Sequence, residues 1–204
     1  MLPYLLALVG GNLQLTFSTA TIVPPDAGPM CWHEDGPRPY TYPAVGDRRA
    51  QIFVRMGIFL EDLSEPDRGN LVLVPGSHQY LFHRGGGTEG MNAMPNLTTL
   101  YASAGSVVIF HQALWHRTAP NLMDHPRRVL YFGFTPSWHR TIDYLTPPDT
   151  LLEWIDETPP ERRALLRQLV GCVPEQGVNG FFFNDEYEFP GLRLVPLKHP
   201  ASGA

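Results

Sequence analysis

The segment QIFVRMGIFLED at residues 51–62 is the clearest β-strand in this sequence and the best guide to its fold class. Its apolar residues recur at every second position, so they leave one face of an extended chain. They are Ile52, Val54, Met56, Ile58 and Leu60. After the turn DRGN at 67–70 comes a second apolar segment, LVLV at 71–74, which ends at PGSH. Short strands bounded by such turns favour a β-rich fold.

Further strands are predicted on both sides of this pair. The segment 13–23 begins with Leu13, Leu15 and Phe17 alternating with polar residues, which predicts a half-buried strand whose polar face could line a site. Other short strands are predicted at 105–110, 116–118 and 127–134.

Helices are predicted only near the two ends. Residues 3–9 are apolar and are followed by Gly10-Gly11, which predicts a short helix. Residues 147–171 form a helical region that breaks at Thr158-Pro159-Pro160. With at least seven strands between these helices, we expect a mainly β, cupin-like jelly roll, the double-stranded β-helix, as one domain over residues 1–204.

The composition agrees with a folded β-rich domain. Hydrophobic residues make up 43% of the 204 residues and charged residues only 17%, so extensive disorder is not expected. The 19 glycines and 21 prolines suit many short strands joined by turns. The net charge of −5 argues against nucleic acid as a partner, because no basic stripe is present to neutralise phosphates.

The two cysteines, Cys31 and Cys172, provide no disulfide framework and no Cys-x-x-Cys pair. Reduced thiols of this kind suggest a cytoplasmic protein. The apolar opening segment lacks a positive region and is too short to span a bilayer, so no membrane partner is expected.

The stretch CWHEDG at residues 31–36 places an imidazole and a carboxylate two residues apart. It follows a run that reads as a strand, in which side chains at i and i+2 leave the same face. His33 and Asp35 can therefore reach one point in space, while Glu34 faces the other way. An imidazole nitrogen and a carboxylate oxygen are two of the three ligands of the facial triad that holds non-heme Fe(II). Such pairs occur often by chance, so a metal site needs a third ligand elsewhere.

Two histidines are candidates for the third ligand. His111 ends one predicted strand and His116 begins the next, and spacing alone does not separate them. The surroundings favour His116, because the Thr118 hydroxyl shares its face and Arg127 opens the neighbouring strand. Arginine forms bidentate pairs with carboxylates, so this group of side chains would suit a metal-chelating dicarboxylate. The alternative is that Arg127 or Arg128 is only a surface charge.

Four segments of this chain resemble the phytanoyl-CoA dioxygenase family, whose members are Fe(II)- and 2-oxoglutarate-dependent oxygenases on a double-stranded β-helix. They are WHEDG at 32–36, LVLVPGSH at 71–78, GSVVIFH at 105–111, and WHRTAPN at 115–121 followed by Arg127. The match runs in order from about residue 10 to about residue 135. Several separate motifs in the same order are much more specific than one His-x-Asp pair.

The resemblance implies an iron site with three protein ligands, which are His33, Asp35 and His116. It also implies that Arg127 binds the distal carboxylate of 2-oxoglutarate, assisted by the Thr118 hydroxyl. In the family this arginine stands eleven positions after the distal histidine, and residues 116 and 127 have the same separation (127 − 116 = 11). The spacing selects Arg127 over Arg128 and His116 over His111.

The activity implied by the resemblance is hydroxylation of an unactivated C–H bond of a small organic molecule, with O₂ as oxidant and succinate and CO₂ as co-products. Related halogenases lack the carboxylate ligand so that chloride can bind, and the presence of Asp35 therefore favours hydroxylation. Four aromatic residues are candidates for a pocket wall that excludes water: Trp32, Phe110, Trp115 and Tyr131. Ordinary core packing is the alternative for each.

Two features differ from the family pattern. Family members generally carry a longer region before the first core strand, so we expect the N-terminal helical region to be shortened here. The family enzyme that acts on phytanoyl-CoA has a lysine just before the Pro-Pro after its first strand, and Ile22-Val23-Pro24-Pro25 has none. An acyl-CoA substrate is therefore not expected.

Two other functions are compatible with the sequence. One is a catalytically silent family member that acts as a binding module. The other is a cupin-type metalloenzyme that uses His111 or Glu34 as a ligand and needs no 2-oxoglutarate. The intact set of predicted ligands favours the oxygenase. We expect specificity for the substrate to reside in segments 37–46 and 83–96 and in the aromatic tail after residue 180.

Overall fold

The strand-forming segments fold into a mainly β structure with helices at both ends. A computed structural model describes residues 1–11, 13–35, 53–79, 96–139 and 147–170. Within these residues helix α1 (Leu2–Val9) precedes seven strands: β1 (Leu13–Val23), β2 (Val54–Phe59), β3 (Leu71–Leu73), β4 (Thr98–Thr99), β5 (Val107–His111), β6 (His116–Thr118) and β7 (Arg127–Pro136). Two helices follow, α2 (Asp149–Asp156) and α3 (Pro160–Leu169).

The seven strands form two antiparallel sheets in the described part of the chain. The larger sheet has the strand order β1-β7-β2-β5 and the smaller one β4-β3-β6. Neighbouring strands are mostly distant in sequence, which is the connectivity of a jelly roll rather than of simple hairpins. The predicted double-stranded β-helix is confirmed.

The two faces of strand β2 pack against different parts of the protein. Its residues Val54, Met56 and Ile58 pack with Leu5 and Leu6 of α1 in a helix-side cluster. This confirms the predicted alternation of the segment, although Leu60 lies past the end of the strand and is exposed, and Ile52 lies outside the described residues. The opposite face of β2 turns towards the smaller sheet.

The main core lies between the two sheets and is called here the inner cluster. It combines side chains of β1, β2, β5 and β7 with Leu71 of the smaller sheet. Its buried members are Phe17, Phe53, Phe59, Leu63, Leu71, Phe110, Leu114, Val129 and Tyr131. Residues of the larger sheet that alternate with the helix-side cluster therefore face this interior.

Strand β1 departs from the simple alternation that its sequence suggests. Leu13 and Leu15 pack in the helix-side cluster, whereas Phe17 belongs to the inner cluster. The register with β7 shifts between Leu15 and Phe17, which marks a β-bulge. One extra residue reverses the side-chain alternation, so reading these three residues as one continuous face is wrong beyond the bulge.

The C-terminal helical region is confirmed as two helices, which break at the predicted Thr158-Pro159-Pro160. Among the residues that the structure describes, no helix is both long enough and apolar enough to cross a membrane. Segments 37–46 and 83–95 and the aromatic tail lie outside the described residues.

Candidate metal centre

Two histidines are brought together by backbone pairing. His33 and His116 form an isolated antiparallel bridge in which each backbone N–H donates to the other residue's carbonyl, at 3.0 and 2.9 Å. The stretch before His33 is not the regular strand that the sequence predicts. This single bridge sets the direction of the His33 side chain instead. Directly paired residues project to the same side of a sheet, and the two imidazole centroids are 4.3 Å apart.

Each of these imidazoles has a fixed orientation. The His33 Nδ1 atom lies 3.0 Å from the carbonyl oxygen of Cys31, and the His116 Nδ1 atom lies 2.8 Å from that of Leu114. A carbonyl can only accept, so Nδ1 carries the proton in both rings. In the neutral form of either ring, the Nε2 atom then presents a lone pair. A backbone carbonyl on the far nitrogen is the usual support of a metal-binding histidine.

Asp35 completes the group. Its Oδ1 atom lies 3.9 Å from the His33 Nε2 atom, and its Oδ2 atom lies 3.5 Å from the His116 Nε2 atom. One ligand atom from each of the three residues lies within 4.8 Å of the others. Two imidazole nitrogens and a carboxylate oxygen that converge at these distances could share one cation. The donor set is that of the two-histidine, one-carboxylate iron site.

Burial keeps His116 neutral. The residue is 4% exposed, and burial lowers the pKa of its imidazole from 6.5 to about 4, with Asp35 partly offsetting the effect. Removal from water disfavours the charged form of an imidazole. At neutral pH the ring is therefore in the form that binds metals.

The lowered pKa predicts how stability depends on pH in the metal-free protein. Between about pH 6.5 and pH 4 the unfolded chain binds a proton at His116 that the folded chain does not, so stability falls as the pH is lowered through this range. The expected loss is about 3 kcal/mol from this residue. Denaturant unfolding with a chelator present, at several pH values, measures it.

One variant isolates this contribution. His116→Gln is expected to flatten the pH dependence, because the glutamine side chain does not titrate in this range. Equal pH dependence in wild type and His116→Gln would contradict the prediction.

Arg127 lies on β7 with its guanidinium in the interior. It is 1% exposed, and its Nη2 atom donates to the Tyr131 hydroxyl at 3.3 Å. Its Nε and Nη1 atoms have no hydrogen-bond partner among the described residues. Gly69 allows the chain to approach its aliphatic stem, since a Cβ there would lie 3.2 Å from Cγ. A buried guanidinium with unused donors is suited to a carboxylate ligand.

The neighbouring Arg128 has a different environment. Its Nε atom donates to the Glu61 Oε1 atom at 2.5 Å, and its side chain is 57% exposed. Alternation along β7 accounts for the difference, because successive side chains leave opposite faces. Of the two arginines, Arg127 is the one that faces the interior.

The other predicted residues divide into two groups. Thr118 is half-buried on the same strand face as His116, and the Phe110 ring centroid lies 5.1 Å from that of His116. Phe110 and Tyr131 both belong to the inner cluster. Trp32 and Trp115 instead pack with Val72, Val74 and Ala119 in a separate cluster on the other face of the smaller sheet. The structure does not bring these two tryptophans into the inner cluster with Phe110 and Tyr131.

The two alternative ligands lie outside the three-residue group. His111 accepts a hydrogen bond at Nδ1 from the Ala113 backbone N–H, and its ring centroid lies 5.1 Å from that of His78. Glu34 is half-buried and is not one of the three residues whose ligand atoms converge.

Sequence reasoning missed Arg55. This residue forms a hydrogen-bonded ion pair with Asp35 through its Nη1 atom. Its guanidinium carbon also lies 4.7 Å from the Tyr131 ring centroid. Arg55 thus connects the His33–Asp35–His116 group to Tyr131. The Tyr131 hydroxyl in turn accepts a hydrogen bond from Arg127. The sequence carries one signal for this residue, because Arg55 is a single charge within an otherwise apolar strand.

Comparisons with known proteins identify the family and the fold of this chain. The profile of the family described as phytanoyl-CoA dioxygenase (PhyH) matches residues 5–129, which is more than half of the chain. No functionally curated protein matches the sequence. Among solved structures, HygX from Streptomyces hygroscopicus with nickel and 2-oxoglutarate bound is 21% identical, with a TM-score of 0.52 over 66% of this chain and 62% of HygX.

Other solved structures have a similar likeness. HygX with iron bound is 22% identical, with a TM-score of 0.53 over 67% of this chain and 63% of that one. The ThoJ–nickel complex, a non-heme monooxygenase, is 20% identical, with a TM-score of 0.50 over 67% of this chain and 49% of ThoJ. This chain therefore covers less than two thirds of the length of either protein, and the likeness shows a shared fold. The match of the family profile to more than half of the chain shows that the chain belongs to the phytanoyl-CoA dioxygenase family.

Proposed function

We propose that this chain is an Fe(II)- and 2-oxoglutarate-dependent dioxygenase that hydroxylates a C–H bond of a small organic molecule. The observation that carries the proposal is the link between two groups of side chains. His33, Asp35 and His116 offer three metal ligands, and Arg127 offers unused buried donors. Contacts through Arg55 and Tyr131 join the two groups in one interior.

The residues present fit a divalent iron. Two imidazoles whose Nδ1 atoms face backbone carbonyls, together with one carboxylate, offer two nitrogen ligands and one oxygen ligand. Mixed nitrogen and oxygen ligands of this kind suit Fe(II), and three protein ligands leave room for a bidentate co-substrate.

The residues also fit a dicarboxylate. The Arg127 guanidinium is buried beside the Phe59 ring, 5.6 Å from its centroid, and keeps two unsatisfied nitrogen atoms among the described residues. Leaving such donors unpaired in the interior is costly, and a bound carboxylate would satisfy them. Thr118, on the same face as His116, is proposed to assist that carboxylate.

When bound, iron and 2-oxoglutarate would supply the oxidising chemistry, in which O₂ gives one oxygen atom to succinate and one to the substrate as CO₂ is released. The residues of the chain hold the metal and the co-substrate in place and shield them from water. His33 and His116 keep their ring orientations through backbone carbonyls, and Arg127 orients the distal carboxylate with help from the Tyr131 hydroxyl. Phe110 and Tyr131 are proposed to limit the access of water.

Features of related structures support the proposal. HygX has been solved with nickel and 2-oxoglutarate, with iron, and with nickel, 2-oxoglutarate and hygromycin B. By analogy, the proposed substrate of this chain is a small organic molecule. Among the described residues His111 belongs to no converging group of three metal ligands, so an alternative site built on it lacks support.

One spectroscopic experiment tests the proposal. Adding 2-oxoglutarate to the Fe(II)-loaded protein under anaerobic conditions is expected to produce a weak visible charge-transfer band, and admitting O₂ should then yield succinate. Succinate added in place of 2-oxoglutarate is the control and should give no band, because it lacks the keto group. A folded protein that binds neither Fe(II) nor 2-oxoglutarate would indicate a silent family member and overturn the proposal.

A further inference from the structure

Arg55 is a charged residue on the inner face of β2, where a charge is costly to bury. Across the larger sheet it pairs with Phe110 on β5 and with Gly133 on β7. Its side chain is only 17% exposed. Position and burial together aim its guanidinium at the space between the two sheets.

Aromatic rings define where this guanidinium lies. Its central carbon is 5.0 Å from the Phe17 ring centroid and 4.7 Å from that of Tyr131. Gly133 makes the first contact possible, because a Cβ at this residue would lie 2.1 Å from the Phe17 ring. Contacts with two ring faces restrict the guanidinium and stabilise its charge.

Asp35 depends on Arg55 more than either histidine does. His33 and His116 are held by the backbone bridge and by hydrogen bonds of their rings to backbone carbonyls. Asp35 lies outside any strand, and Arg55 is the hydrogen-bond donor to its carboxylate among the described residues. The orientation of this carboxylate is therefore set by a residue 20 positions away in the sequence.

We infer that Arg55 is a positioning residue for the metal centre: it engages one oxygen of Asp35 and holds the carboxylate facing the two imidazoles. This inference rests on the proposed function, because it assigns a role towards the metal. Partners that orient a metal ligand are part of the site, and their loss weakens metal binding although they never touch the ion.

The direction in which the metal Kd changes distinguishes a positioning role of Arg55 from an effect of its charge alone. A cation close to a metal site opposes metal binding by repulsion, so removing the charge alone would tighten binding. Removing the support of Asp35 would weaken it. A purely structural arginine would change thermal stability without changing the metal affinity of the folded protein.

The test measures Fe(II) affinity under anaerobic conditions and Co(II) absorption, both without 2-oxoglutarate. Arg55→Met is expected to raise the metal Kd by about 10- to 100-fold and to alter the Co(II) spectrum. Arg55→Lys keeps the charge without the planar fork and should have a smaller effect in the same direction. Arg128→Met, which removes a charge from the opposite face of the sheet, is the control and should leave the metal Kd unchanged.

Each other outcome is informative. Metal binding by Arg55→Met as tight as wild type, or tighter, overturns the inference. A separate titration with 2-oxoglutarate gives a further outcome: an unchanged metal Kd with weakened 2-oxoglutarate binding also overturns the inference, because Arg55 would then act on the co-substrate. Should Arg55→Met fail to fold, Arg55→Lys decides, since wild-type metal affinity in that variant contradicts positioning.

Failure of the proposed function is distinguishable from failure of this inference. A wild-type protein that binds metal but not 2-oxoglutarate ends the proposed function and leaves the Arg55 comparison valid. A wild-type protein that binds both, together with an Arg55→Met variant of unchanged metal affinity, ends the inference alone. A wild-type protein that binds no metal ends both.

Discussion

Replacing Asp35 with alanine is expected to weaken Fe(II) binding on the order of a hundredfold or more, since loss of a ligand's outer partner alone costs about 10- to 100-fold. The change removes the only negative charge of the three-residue group. It also frees the Arg55 guanidinium, whose positive charge would then face the site without a counterion. Both effects act in the same direction. Anaerobic titration with Fe(II) measures the change.

Glu34→Ala is the matched control for this result. It removes a carboxylate one residue away that does not belong to the converging group, so Fe(II) affinity should stay within about twofold of wild type. Because Asp35→Ala leaves a half-buried charge unpaired, Asp35→Asn provides a second variant with less risk to folding. If Glu34→Ala loses Fe(II) binding and the Asp35 variants keep it, the ligand is Glu34 and the prediction for Asp35 is wrong.

Arg127→Met is expected to have opposite effects on two measurements. Binding of 2-oxoglutarate to the Fe(II)-loaded protein should weaken roughly 10- to 150-fold, because a charge-assisted hydrogen bond is worth about 1.5–3 kcal/mol. Stability of the metal-free protein is expected to rise, because a buried charge with no counterion among the described residues is replaced by an apolar side chain. Isothermal titration and denaturant unfolding measure the two quantities.

Arg128→Met reverses this pattern and serves as the control. Arg128 bonds Glu61, which is buried, so its removal should destabilise the protein while 2-oxoglutarate binding stays unchanged. A wild-type affinity for 2-oxoglutarate in Arg127→Met would remove this arginine from the co-substrate site.

The sequence predicted the elements of the fold well because their signals are local. Alternation in β2, the Pro-containing break between α2 and α3, and the glycines that end α1 each depend on a few neighbouring residues. The faces of β1 were harder to predict. Whether Phe17 faces the helix or the interior depends on a bulge, and pairing with β7 determines where the bulge lies.

In the candidate site, too, only residues with a local signal could be predicted. His33 and Asp35 were predictable from a spacing of two, and the distance from residue 116 to residue 127 matched a family pattern. Arg55 was not, because no local pattern states that a carboxylate 20 residues earlier will meet it. The positions of Trp32 and Trp115 were not predictable either. Each precedes a histidine of the site, and adjacent residues of extended chain face opposite sides.

The fixed imidazole rings of the two histidines have a consequence for metal choice. Their Nδ1 atoms lie against backbone carbonyls, so contacts within the chain set the orientation of both rings. A ready-made set of two nitrogens and one oxygen follows the general affinity order of divalent metals, in which nickel, copper and zinc all bind more tightly than ferrous iron. We therefore expect these ions to compete with iron for the proposed site. The metal that occupies it in a cell would then depend on which divalent ions are available.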